Sequence, residues 1–267
     1  MAVGGLALLL GGAKNLVAAA PAYTASSIVN SASGVSSILV PNGLATVYGT
    51  NLSAITQALT AADIKGGELP YTLTGTGVSV LVNGLRAHVM YASPSQVNFL
   101  VPSLLPPGSA MVEVVRSGVT GGAVRLLVAP ASPGLFLLKP GVAVATRADG
   151  SVLTESSAAE PGQFVVLYAT GLGETAPSAE YGYVARAAAW VSKREEFRVV
   201  LDGRTLAEGV YYAGVTLGFG GLYQVNLQLP DWVGPNPEVR ILCGDAASPA
   251  GVRIPVATKQ AQLASSQ

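Results

Sequence analysis

The sequence predicts an all-β chain built as two tandem immunoglobulin-like β-sandwich domains related by an internal repeat. Three observations predict it: short β-rich runs alternate with Gly, Pro, Asn and Asp from about Ser26 onward, helical periodicity is scarce, and one ordered series of signals occurs twice. With 267 residues, half of them apolar and 11% charged, the chain has the length and the apolar content for two cores.

The clearest strand is Tyr223-Gln224-Val225-Asn226-Leu227-Gln228-Leu229, where alternation puts Tyr223, Val225, Leu227 and Leu229 on a core face and the three amides on the other. The repeat fixes the rest. Leu44-Ala45-Thr46-Val47-Tyr48-Gly49-Thr50-Asn51-Leu52 matches Phe164-Val165-Val166-Leu167-Tyr168-Ala169-Thr170-Gly171-Leu172 at an offset of 120. Val80-Leu81-Val82-Asn83-Gly84 matches Val199-Val200-Leu201-Asp202-Gly203 at 119, and Tyr91-Ala92 matches Tyr212-Ala213 at 121. Gln96-Val97-Asn98 then matches Gln224-Val225-Asn226 at 128, a jump of seven. An insertion therefore lies between Tyr212 and Gln224, where Gly214, Gly218, Gly220 and Gly221 predict a flexible loop. Asn83-Gly84 and Asp202-Gly203 predict tight hairpin turns, because both residues of such a turn tolerate positive φ.

These signals divide the chain into a targeting segment (1–25), a first sandwich (26–129), a Pro-rich linker (130–140), a second sandwich (141–258) and a polar tail (259–267). The linker prolines, Pro130 and Pro133, stiffen the connection and favour one relative orientation. The N-terminus reads as a weak secretory signal: an apolar stretch from Gly4 to Gly12, then small residues with Ala20 and Ala22 before a cleavage point, but Lys14 interrupting it. A secreted, cell-surface or periplasmic location is expected. No later segment has the roughly 18 apolar residues of a spanning helix, so the mature chain is expected to lack a transmembrane domain.

Charge and composition exclude whole classes of chemistry. Fifteen basic and fifteen acidic residues cancel, so nucleic acid is not an expected partner. Lys193-Arg194-Glu195-Glu196 neutralises itself and reads as a solvated lead-in to a strand. Cys243, the single cysteine, falls in an apolar run and reads as a small buried hydrophobe. His88, the single histidine, reads as a partly exposed strand residue with no nucleophile motif beside it. One imidazole and one thiol are too few for structural zinc, and Asp149-Gly150 reads as a turn and not as a calcium loop. Glu195, Asp202, Glu208 and Asp231 are scattered, which gives a glycosidase no carboxylate pair. The expectation is a protein that is not an enzyme, with no catalytic residues, no metal and no cofactor.

Two polar or aromatic groupings remain as binding candidates. The long connection from Gly173 to Lys193 holds Tyr181, Tyr183 and Trp190, a binding surface if the rings are presented, or packing if they fold against their own domain. Gln96, Asn98, Gln224 and Asn226 are weaker candidates, forming a sugar-binding face with Tyr91, Tyr212 or Tyr223. The sequence favours a plainer role for these amides, bonding loop backbone groups at a sandwich end.

Several motifs in order carry a family resemblance: Ser27-Ile28-Val29-Asn30-Ser31-Ala32-Ser33, Val47-Tyr48-Gly49-Thr50-Asn51-Leu52, Tyr91-Ala92-Ser93-Pro94-Ser95-Gln96-Val97-Asn98, Leu167-Tyr168-Ala169-Thr170-Gly171-Leu172-Gly173 and Gly220-Gly221-Leu222-Tyr223-Gln224-Val225-Asn226. From Ser27 to Val256 the chain resembles a family of exported bacterial domains named for its abundance in Solibacter-type acidobacteria, usually a C-terminal module of uncharacterised proteins. Each half also resembles an IPT/TIG-type immunoglobulin-like domain. The resemblance implies a tandem sandwich, export, and no established activity. The functional expectation is a non-catalytic exported module for protein or surface interaction, adhesion or scaffolding, with a carbohydrate-binding module as the alternative. Its partner would be an unknown protein or glycan surface.

Overall fold

The computed structural model describes residues 19–257, so most of the expected targeting segment (1–25) and the polar tail (259–267) lie outside the described residues. The chain is all-β and forms two sandwiches in tandem, with separate cores running from Ile28 to Val128 and from Leu135 to Val256. Among the described residues no helix is long and apolar enough to cross a membrane.

In the first sandwich one sheet is built from Ile28–Asn30, Leu44–Tyr48, Gln96–Leu100 and the C-terminal part of Leu85–Ala92. The other takes the start of Leu85–Ala92, then Val78–Val82, Gly108–Arg116, Val124–Val128 and Ile38–Leu39. One strand thus passes from sheet to sheet, which closes a corner of the sandwich. Alternation does the rest: Val78, Val80 and Val82 are buried while Ser79 and Leu81 are half-buried.

The second sandwich repeats this plan. Phe164–Thr170, Tyr223–Gln228 and Val210–Val215 form the centre of its larger sheet, and Phe197–Leu201 with Val239–Cys243 that of the smaller. The likeness reaches single residues. Thr46 faces Asn98 and Tyr48 faces Gln96, as Val166 faces Asn226 and Tyr168 faces Gln224. The register shift between Val89 and Tyr91 recurs between Val210 and Tyr212, a β-bulge at the matching place in each half. Asn83 and Gly84 have φ of 48° and 78°, Asp202 and Gly203 of 45° and 77°, as a mirror-image two-residue turn requires.

Tyr223, Val225 and Leu227 are buried as the alternation requires, and the charge run forms a short 3-10 turn at Arg194–Glu196 with Lys193 3.2 Å from Glu196. The chain already packs on the first sandwich before Ser26: Pro21 is buried, Ala22 pairs with Thr50, and Tyr23 accepts a hydrogen bond from the Val114 amide at 2.7 Å. The glycine-rich insertion does not form the expected flexible loop. A Cβ at Gly220 would stand 2.6 Å from Leu69, and one at Gly221 2.6 Å from Leu100 and 2.9 Å from Leu44, all in the first sandwich. These glycines are there for close approach.

Candidate functional site

The Gly173–Lys193 connection and the insertion converge on the first sandwich and build a seam between the domains. Backbone bonds carry much of it: Leu69 N–H donates to the Gly182 carbonyl at 2.7 Å and Val184 N–H to Gly67 at 2.9 Å. Glu68 bridges to Tyr183, and the Arg186 guanidinium bonds the Gly66 carbonyl. Thr170 is buried and its hydroxyl works in both directions, accepting from Leu44 N–H at 2.9 Å and donating to the Gly221 carbonyl at 2.8 Å. The linker is tied down as well. The Asn30 amide donates to the Ser132 carbonyl at 2.9 Å, and Ser132 N–H donates to Gly171 at the same distance.

His88 lies at the centre of this seam. It was expected to be partly exposed, but only 1% of it is, because Tyr71 stacks on the ring at 3.9 Å and Tyr181 meets it edge-on at 4.9 Å. Nδ1 lies 2.7 Å from the Leu69 carbonyl, which can only accept, so the ring's proton is on Nδ1. Nε2 abuts Gly182, where a Cβ would come within 2.1 Å. Burial pulls the imidazole below its ordinary pKa, against the opposing effects of the Leu69 bond and Glu68, and Arg86 adds to the depression. The Tyr181 hydroxyl donates to the Arg86 carbonyl at 3.2 Å, and burial raises its pKa.

The three aromatics picked out in this connection are therefore engaged. Tyr181 and Tyr183 are half-buried against the first domain, while Trp190 packs on its own domain, edge-on to Tyr212 at 5.1 Å with Arg194 4.3 Å over its ring. The repeated amides do not bond loop backbone at a sandwich end. Gln96 donates to Asn98 at 2.8 Å and Gln224 to Asn226 at 3.1 Å, along the outward face of a strand. Residues two apart on a strand share a face, so the longer side chain reaches its neighbour. Tyr91 and Tyr212 pair with Asn98 and Asn226 in register, whereas Tyr223 is buried, its hydroxyl donating to Gly173 at 2.6 Å.

Sequence reasoning passed over a second group. Phe164, Tyr211 and Trp232 are 49%, 55% and 40% exposed; Phe164 and Tyr211 stand at the end of the larger sheet away from the seam, and Trp232 lies beside Arg204 and Glu208. Phe164 and Tyr211 lie 5.1 Å apart at a tilt of 58°, the Tyr211 hydroxyl donates to Gln228 Oε1 at 3.2 Å, and Gln228 Nε2 donates to the Gly162 carbonyl at 2.9 Å. Arg204 lies 4.0 Å over Trp232. The doublet Tyr211-Tyr212 was the available signal. Adjacent strand residues point to opposite faces unless a bulge intervenes, and here one does.

Among the described residues no three His, Cys, Asp or Glu side chains converge as metal ligands would. Asp149 accepts from the Ser151 amide at 2.9 Å and makes the expected turn. Cys243 is half-buried rather than buried, and desolvation pushes its thiol up to about 12, so it is protonated at neutral pH and a poor nucleophile.

No protein-family model and no curated protein matches the chain. Among solved structures it is similar to the Bacteroides ovatus mixed-linkage glucan utilization locus protein SGBP-B in complex with a mixed-linkage heptasaccharide, at 11% identity, 83% of this chain, 43% of that chain and a TM-score of 0.34. It is also similar to domains 5–6 of the S-layer protein SbsC, at 12% identity, 90% of this chain, 99% of that chain and a TM-score of 0.26. A third similarity is to the I9–I11 tandem of titin, at 9% identity, 89% of this chain, 65% of that chain and a TM-score of 0.24.

Proposed function

We propose that the chain is a non-catalytic exported module that presents its surfaces to a protein or glycan partner, in adhesion or scaffolding, with its two sandwiches held as one unit. The seam carries this reading. Gly182, Gly220 and Gly221 leave no room for a side chain, and the buried Thr170 hydroxyl is bonded on both sides, so one relative orientation is favoured. A fixed orientation suits a part that holds a binding surface at a set distance, because less ordering is required when a partner arrives. A histidine enclosed by two tyrosines and a protonated thiol support the non-catalytic part. The apolar stretch from Gly4 to Gly12 and the resemblance to exported domains support a secreted, cell-surface or periplasmic location.

Small-angle X-ray scattering tests the reading. One compact interdomain arrangement is expected for the parent chain, and a broader distance distribution for Gly182→Val. A broad distribution in the parent would overturn it. A second reading, carbohydrate binding, is favoured by the exposed rings of Phe164, Tyr211 and Trp232.

A further inference from the structure

We infer that the free end of the second sandwich, where Phe164 and Tyr211 flank Gln228 and Trp232 follows four residues further along the chain, is a binding site for neutral polysaccharide. This rests on the reading of the chain as a binding module and names the ligand class and the place. Strands Phe164–Thr170 and Tyr223–Gln228 meet the first domain at their Thr170 end, and Phe164 pairs with Gln228 at the other, about 20 Å away. The site is therefore clear of the seam.

The rings are held in place although they are exposed. Phe164 tilts against Tyr211, the Tyr211 hydroxyl is fixed on Gln228, Gln228 is fixed on the Gly162 carbonyl, and Arg204 covers one face of Trp232. Such anchoring limits the side-chain entropy lost when a ligand binds. About half of each ring's surface is left in water, and that half can pack on the C–H faces of a sugar.

The polar groups around the rings select the ligand. Gln228 keeps a second amide N–H and a second carbonyl lone pair, which suit a hydroxyl that both donates and accepts. Arg204 and Glu208 line the furrow beside Trp232 with opposite charges, so no field of one sign is available to hold a polyanion. Amide, guanidinium and carboxylate groups also break up the apolar area that a protein interface core would need.

Native affinity electrophoresis of the full chain in gels containing xyloglucan, galactomannan, dextran or polygalacturonate tests the inference. Retardation by at least one neutral polymer and not by polygalacturonate is expected, with Trp232→Ala and Tyr211→Ala each weakening it by about tenfold. Tyr211→Phe, which keeps the ring, retains most of the binding, and Tyr48→Ala, at another exposed tyrosine, in the first sandwich, leaves it unchanged. The inference is overturned if no neutral polymer retards the chain, if polygalacturonate alone does, or if folded Trp232→Ala and Tyr211→Ala bind as the parent does. Self-association in sedimentation velocity that Trp232→Ala abolishes would overturn it in favour of a second copy of the chain. Binding that survives both alanine changes would sink only this assignment, since the scattering experiment judges the two-domain unit separately.

Discussion

In the first sandwich the strands Leu85–Ala92 and Gln96–Leu100 are joined by three residues, 93–95, in a turn where Ser93 Oγ accepts from the Gln96 amide. The corresponding connection in the second sandwich, between Val210–Val215 and Tyr223–Gln228, takes seven, and its glycines press on Leu44, Leu69 and Leu100 of the first. The strands on either side keep the same register and the same bulge in both halves. A slip of one residue would turn every buried side chain outward, so register is held, whereas a surface connection can lengthen at little cost. The difference teaches where the second half acquired a role that the first half lacks: its altered connections grip its neighbour.

The largest test of this comparison is in the cores. Phe99→Ala is expected to lose about 4 kcal/mol, and Leu227→Ala, at the matching position 128 residues on, about 3 kcal/mol. Because the seam couples the halves, each change should lower one shared denaturant transition, and two separated transitions would break the comparison. Gly182→Ala comes next. At φ of +79°, with His88 Nε2 2.1 Å from the added Cβ, strain and overpacking together are expected to remove about 3 kcal/mol. Gly84→Ala, at φ of +78° with no described atom within 4 Å of its Cβ, should lose only about 1 kcal/mol, which isolates the contribution of the seam. Thr170→Val deprives the Leu44 amide and the Gly221 carbonyl of their partner, and about 2 kcal/mol is expected in the same unfolding measurement.

The smallest effect is a pH dependence. The unfolded chain protonates its single histidine near the ordinary value of about 6.5, while the folded imidazole takes its proton at lower pH. Between those values the unfolded state binds more protons, so stability is full above about pH 6.5 and falls as the pH drops towards the folded pKa. Melting should be lower at about pH 5 than at about pH 7, and His88→Phe should flatten that slope. An unchanged slope in the variant would place the titrating group elsewhere.

Much of the fold was legible because alternation and turn chemistry are local. The run from Tyr223 to Leu229 declares its buried face, and Asn83-Gly84 and Asp202-Gly203 declare their turns, without reference to distant residues. The sites were less legible for the opposite reason. His88 reads as a strand residue on its own and is buried only because Tyr71 and a connection about ninety residues further along close over it. Tyr181 and Trp232 are both aromatic residues in loops, and nothing nearby in sequence says that one is engaged and the other exposed.

By itself the sequence determined the duplicated strand pattern, its buried faces and its tight turns, since those follow from side-chain alternation and from which residues tolerate positive φ. Only the tertiary structure decided which surface of each half was free. Exposure depends on what a distant segment covers, and here the glycine-rich insertion and the Tyr181 connection cover the first sandwich while Phe164, Tyr211 and Trp232 are left in water.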